Sequence, residues 1–309
     1  MSINDFDIIF FTNPHDITST KYQIKNLKYK ITCYAPYFFV VNGRDDLNFK
    51  KDFQRLVWRQ FCETEIHKDL FREHSPNKDK NVIVSGYPGL DPLIDRSYTP
   101  SSPWIAKNKK RIIWAPHHTI EGQGASLDYS NFLEYSALMI NVSEMYDQEV
   151  NFAFKPHPML KEKLYKHDSW GKDRTEEYYA SWSRRSNCQV EEGQYKDLFL
   201  TSDALIHDCS SFMVEYLCTE NPVLYTLKDE SVGGRMNKFG RMALEVHYKA
   251  SNAQAIVNFI EQVVIGELDD MEDMRSSFFK EYLIPPNNNT ASQNILNYIN
   301  KAIFNIKNI

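Results

Sequence analysis

The sequence predicts an α/β protein built on parallel sheets covered by helices on both faces. Three observations carry that expectation. Short runs that are apolar throughout recur along the 309 residues, and most give way to a polar turn and then to apolar residues at helical spacing. The polar residues with chemical promise stand at the ends of those runs, where open parallel sheets bind ligands. Composition agrees, with 42% hydrophobic and 25% charged residues, the profile of a folded globular chain.

The runs, in chain order, are DIIFF (7–11), KITCYA (30–35), NVIVSG (81–86), RIIWA (111–115), NFAFK (151–155), DALIH (203–207) and PVLYT (222–226). None approaches the ~20 apolar residues of a membrane helix. Between the second and third, residues 48–74 carry Phe53, Leu56, Val57 and Phe61 at helical spacing and read as one helix. Residues 128–147 read the same way, with Asp128 as N-cap. Helices are also expected at 253–266, 271–282 and, after the break PPNNN, 290–306. The polar stretch DRSYTPSSPWIAKNKK (95–110) marks a boundary. Residues 1–105 then form an N-terminal lobe, 106–285 a doubly wound second lobe and 286–309 a terminal helix.

A net charge of -5 argues against a nucleic-acid partner held by phosphate neutralisation. The five cysteines, Cys33, Cys62, Cys188, Cys209 and Cys218, are scattered without a C-x-x-C pair, as reduced thiols in a cytosolic protein are. The start, MSINDFDIIFFTNPHD, lacks a basic region followed by a long apolar stretch and does not read as a signal peptide. A cytoplasmic location follows, with membrane contact at most peripheral and from the inner face.

Three strand ends are chemically loaded. RIIWA runs into Pro116-His117-His118-Thr119, NFAFK into Pro156-His157-Pro158, and DALIH into Asp208-Cys209-Ser210-Ser211. Ser210 and Ser211 open a helix, where free backbone N–H groups and the positive dipole end suit a diphosphate. The alternative is that Asp208 or Ser210 merely caps that helix. His157, fixed between two prolines, is suited to donate a proton or hydrogen bond to a leaving phosphate. Adjacent residues usually point apart, so at most one of His117 and His118 needs a function. Nor do they read as metal ligands, since no third ligand is spaced to join them. His207 reads as core packing. Glu215, one turn after Ser211, faces either a nucleotide or solvent. The segment GGRMNKFGR (233–241), with Arg235, Lys238 and Arg241, is either a loop that closes over phosphates or a solvated basic loop. P-loop, dinucleotide and serine-hydrolase signatures are absent.

The order WAPHHT, FKPHP and SDALIHDCSSFMVEYLCTENPVLY resembles the CDP-glycerol glycerophosphotransferase family of bacterial teichoic-acid and capsule polymerases. That family shows an APT segment, a K-x-HP segment and an SD-x-LI-x-D-x-SS segment, and the resemblance covers about residues 80–300. It implies a GT-B-like fold of two Rossmann-like lobes with the active site between them and a C-terminal helix packing back toward the N-terminal lobe. It implies transfer of a polyol phosphate from a CDP-activated donor such as CDP-glycerol to a hydroxyl of a polymer or lipid-linked acceptor, with release of CMP. No cofactor and no metal are implied. Carried over, His157 contacts or protonates the donor phosphates. Asp208, Ser210 and Ser211 hold the diphosphate, and Glu215 matches an acidic position. Pro116, His117, Lys155 and Arg235 complete the donor site.

Two departures stand out. The family's APTW-R becomes Ala115-Pro116-His117-His118-Thr119, and no HGT segment supplies the acceptor's base, for which His15 in FFTNPHD is the substitute. The N-terminal lobe also reads as abridged. Alternatives are a CMP-sugar glycosyltransferase like the bacterial sialyltransferases, a UDP-N-acetylglucosamine 2-epimerase-like isomerase and a non-catalytic nucleotide-binding relic.

Overall fold

The computed structural model describes residues 5–14, 22–105, 108–120 and 129–304. His15 and Asp128, named above, lie outside these residues. The chain resolves into two compact units. One gathers the chain up to Asp95, Met236–Arg241 and the chain from Phe278; the other comprises Arg96–Arg235 and Met242–Ser277.

The first unit is built on four parallel strands in the order β1-β2-β3-β4: Ile8–Phe11, Ile31–Tyr34, Arg59–Cys62 and Val82–Val84. β3 corrects the expectation of one helix over 48–74. That stretch holds two short helices, Asp45–Asn48 and Asp52–Leu56, then β3, then the helix Glu65–His74. The cause is pairing on both edges of β3: the Trp58 N–H donates to Thr32 O (3.0 Å) and the Gln60 N–H to Asn81 O (2.8 Å). A strand buried on both faces loses its alternation, and the helical spacing of Phe53, Val57 and Phe61 was coincidental.

One face of this sheet packs Cys33 and Phe61 against Ile295 and Ile299 of the terminal helix Ala291–Phe304. The other buries Val40, Phe49, Cys62, Leu70, Phe71 and Val82 together. Within the same unit, Phe239 stacks on Phe39 at 5.0 Å and Asn237 donates to Val40 O (2.6 Å). Gly240 is required there, because a Cβ would stand 2.3 Å from the Val41 carbonyl oxygen. The segment 233–241 is therefore not a loop. It makes a 3₁₀ turn, Val232–Arg235, and then enters the helix Lys238–Glu245.

The second unit holds six parallel strands in the order β10-β9-β8-β5-β6-β7. They are Lys110–Ala115 (β5), Val150–Phe154 (β6), Cys188–Val190 (β7), Ala204–His207 (β8), Val223–Thr226 (β9) and Tyr248–Ala250 (β10). The four longer strands were expected, whereas the two three-residue edge strands were not. The helix expected at 128–147 spans Phe132–Met145. Those expected at 253–266 and 271–282 each begin as α-helix and finish as a π turn, Phe259–Ile265 and Phe279–Leu283.

Trp114, Phe132, Phe154 and Trp182 form an aromatic core on one face, with ring centroids 5.1–6.3 Å apart in five of their pairings. Burying four such side chains contributes on the order of 2 kcal/mol each or more. The sheet order reverses at β5, whose neighbours are β6 on one side and β8 on the other. This is the switch point where doubly wound sheets bind ligands.

Candidate active site

Registers place the loaded strand ends side by side. Trp114 pairs with Phe154 and Ala115 with His207, so the residues after β5, β6 and β8 emerge at one level. The β5–β6 ladder continues past the strands: the Lys155 N–H donates to Trp114 O (2.8 Å) and the His157 N–H to Pro116 O (3.1 Å). His157 is thereby held at the height of His117.

Asp208 is buried, and both carboxylate oxygens accept backbone amides. Oδ1 takes the His117 N–H at 2.6 Å and Oδ2 the Asn131 N–H at 2.7 Å, while the Tyr225 hydroxyl donates to the Asp208 carbonyl (3.1 Å). Burial pushes the carboxyl up to about 7 against the opposing effect of those amides. This geometry makes Asp208 a positioning residue that ties the end of β8 to the turn after β5 and to the start of the helix Phe132–Met145. With its oxygens so engaged it does not grip a diphosphate, and it does not cap the helix after β8. Nor does Ser210, since Ser211 occupies the N-cap position without a side-chain capping bond. Ser211 Oγ lies 3.0 Å from Cys209 Sγ, and Ser210 is half-buried. The segment after Ser211 is a four-residue helix, Phe212–Glu215, followed by a 3₁₀ turn.

The expectation that His117 and His118 point apart is overturned. Their ring centroids are 4.3 Å from each other and 5.0 and 4.2 Å from that of His157. A ring nitrogen of each lies within 4.8 Å of those of the others. A third histidine thus joins the pair, 39 residues beyond His118 in sequence and adjacent only through the parallel register. Burial lowers all three, to about 2 for His117 and about 4 for His118 and His157; Lys163 adds to the effect at each, and neighbouring histidines add to it at His117 and His157. They are neutral at pH 7 and act as hydrogen-bonding groups rather than fixed cations. His157 Nδ1 accepts the Met159 N–H (3.1 Å), which leaves the proton of the neutral ring on Nε2, ready to donate. His117 Nδ1 meets the Thr119 hydroxyl at 3.0 Å, and Thr119 Oγ1 also accepts the Tyr129 N–H. His118 Nδ1 is shielded from solvent with no hydrogen-bond partner among the described residues.

Other expected residues fall elsewhere. Lys155 is buried, its Nζ donates to Gly193 O (2.7 Å), and desolvation lowers it from the ordinary lysine range. Glu215 is buried beside Tyr195, not on a solvated helix face. Arg235 pairs with Asp229, so its guanidinium is engaged within its own turn. His207 is buried as core, as expected. Asn131 was missed. It presents its amide to Asp208 and its side chain to Thr226 O (3.0 Å), and only a fold that brings residue 131 beside residue 208 exposes that role.

Two parallel α/β sheets, the second with its polar rim at the switch point, define an α/β protein of the GT-B class. The backbone is similar to that of the wall teichoic acid polymerase TagF in its H444N variant soaked with CDPG (TM-score 0.62, 15% identity, 97% of this chain and 73% of that one). It is similar in the same degree to UDP-GlcNAc 2-epimerase from Neisseria meningitidis bound to UDP-GlcNAc (TM-score 0.62, 16% identity, 96% and 78%). Residues 50–301 match the CDP-glycerol:poly(glycerophosphate) glycerophosphotransferase family, and the chain belongs to it. Teichoic acid ribitol-phosphate polymerase TarL of Staphylococcus aureus (strain NCTC 8325 / PS 47) is 25% identical over 182 residues, 55% of this chain. The matched stretch is 29% of TarL, so the chain corresponds to under a third of that relative's length.

Proposed function

We propose that this chain transfers glycerol phosphate, or a related polyol phosphate, from a CDP-activated donor to a hydroxyl of a cell-surface polymer or its lipid-linked precursor. The observation that carries this reading is the meeting of three neutral imidazoles at the switch point of the second sheet, in a chain of the glycerophosphotransferase family. The donor is assigned to residues 106–285 and the acceptor to 1–105, with the terminal segment 286–309, which carries the helix Ala291–Phe304, serving the acceptor lobe. The setting is the inner face of the cell membrane, contacted peripherally. Among the described residues no helix is long and apolar enough to cross a membrane.

In the reaction the acceptor oxygen forms a bond to the phosphorus that bears the polyol, and the bond from that phosphorus to the bridging oxygen breaks. CMP leaves as an anion, so it needs hydrogen bonds more than a proton. The Nε2–H of His157 and the ring of His117 supply them, with Ser210 and Ser211 as further donors. Asp208 acts indirectly, by fixing the turn that carries His117 and His118. His15 is proposed as the base that takes the acceptor's proton. Glu215, Lys155 and Pro116 are proposed to support the donor site indirectly, through packing, and Arg235 to reach it only on release from Asp229.

The test is CMP release from CDP-glycerol, CDP-ribitol and CMP-sialic acid, and turnover of UDP-N-acetylglucosamine. Release from CDP-glycerol or CDP-ribitol, falling about a hundredfold or more in His157→Ala, is the expected result. Turnover of UDP-N-acetylglucosamine without acceptor would select a 2-epimerase, and CMP release only from CMP-sialic acid a glycosyltransferase. Donor binding without turnover would indicate a non-catalytic nucleotide binder.

A further inference from the structure

We propose that His117, His118 and His157 form a binding site for one zinc-class divalent cation per chain, with at least one coordination position left to water or a ligand oxygen. The inference goes beyond the transfer reading and does not depend on it.

Four observations meet here. A ring nitrogen from each histidine lies within 4.8 Å of the other two. Around a tetrahedral ion with bonds of ~2.1 Å, ligand nitrogens stand about 3.4 Å apart, so the cluster closes by about 1.4 Å at most, a movement that ring rotation supplies. The backbones do not need to move, because Pro116, Pro156 and Pro158 flank the histidines and the His157 N–H is fixed to Pro116 O at 3.1 Å. His118 Nδ1, shielded and without a partner among the described residues, is a polar atom that a metal would satisfy. Thr119 beside His117 Nδ1 is placed to orient that ring, as second partners of metal-bound histidines do.

The donor set decides the kind of ion. Three imidazoles suit zinc, cobalt, nickel or copper, whereas magnesium and calcium seek oxygen. Asp208, the carboxylate at the end of β8, has both oxygens on backbone amides, and no carboxylate among the described residues joins the cluster, so the remaining positions stay with water or a ligand. At His157 the ion competes with the Met159 amide, an exposed group whose bond water can replace. An ion on Nδ1 leaves the Nε2–H of that ring free to donate.

The experiment is titration of tag-free, chelator-treated wild-type protein with Co²⁺ alone, followed by visible absorption. The expected result is one Co²⁺ per chain with the intense bands of four- or five-coordination, displaced by Zn²⁺ and lost in His118→Ala and in His157→Asn. His167→Ala, a surface histidine outside the cluster, keeps them. Should either cluster variant fail to fold, the wild-type titration still decides. Absence of saturable Co²⁺ binding overturns the proposal, and so do bands that survive in both folded cluster variants. No nucleotide is present, so failure of the metal site leaves the transfer reading standing, and failure of CMP release leaves the metal site standing.

Discussion

The two sheets differ in how deeply they bury their strands. In the second, every residue of Val150–Phe154, Ala204–His207 and Val223–Thr226 is buried. In the first, β1 leaves Phe10 49% exposed and β4 is buried only at Val82. Each unit also pins a loop with a buried carboxylate. Glu63 accepts the Val40 N–H (2.9 Å) in the first, and Asp208 accepts His117 and Asn131 in the second. The difference lies in what the pinned loop carries: beyond Asp208 it carries imidazoles. The comparison teaches that the deeper sheet is the platform on which chemically active side chains are held to a fixed geometry.

Acidification should divide the units most strongly. His117, His118, His157, His207 and His247 all belong to the second unit, and burial lowers each from its ordinary 6.5. A depressed histidine contributes stability that is present above pH 6.5 and is lost as the pH falls toward its folded value. Asp208 works in the opposite sense. Raised from 3.8 to about 7, it contributes stability present below 3.8 and lost as the pH rises through 7. Five rings outweigh one carboxyl. Even after discounting the half-exposed rings for solvent screening, the second unit loses on the order of several kcal/mol between pH 7 and 4. Hydrogen exchange should show β5, β6 and β8 losing protection first. Equal loss in both sheets would break the comparison.

Mutations sharpen it on a smaller scale. Phe152→Ala, in a fully buried strand, should cost about 3–5 kcal/mol in urea unfolding, against roughly 0.5 kcal/mol or less for Phe10→Ala. Similar costs would mean that the burial contrast does not govern stability. Asp208→Ala and Glu63→Ala should each cost about 2 kcal/mol through amides left without acceptors. Only the former should also weaken CDP-glycerol binding, by about tenfold, and equal weakening in the two would remove the special standing of the β8 end.

Legibility followed burial strand by strand rather than the division between the sheets, since β1, β2 and β4 of the first were also readable as apolar runs. β5, β6, β8 and β9 were readable because strands buried on both faces are largely apolar, with Asn151 the one polar residue inside Val150–Phe154. β7 and β10 were not, since Cys188-Gln189-Val190 and Tyr248-Lys249-Ala250 are three-residue edges with polar centres. β3 hid because Arg59 and Gln60 interrupt its apolar run while its neighbours fell at helical spacing. At the rim, strand-end logic picked out His157 and Asp208. It gave Asp208 the wrong partner, since sequence spacing does not reveal amides 91 and 77 residues away. The histidine cluster was invisible for the same reason: it exists only through the register of β5 on β6.

The most direct test of the account is nitrogen-15 NMR of the histidine rings in chelator-treated protein as CDP-glycerol is added. His117, His118 and His157 should shift together, while His67 and His74 of the first unit stay in place. Saturable binding of CDP-glycerol with those three rings unmoved would contradict it.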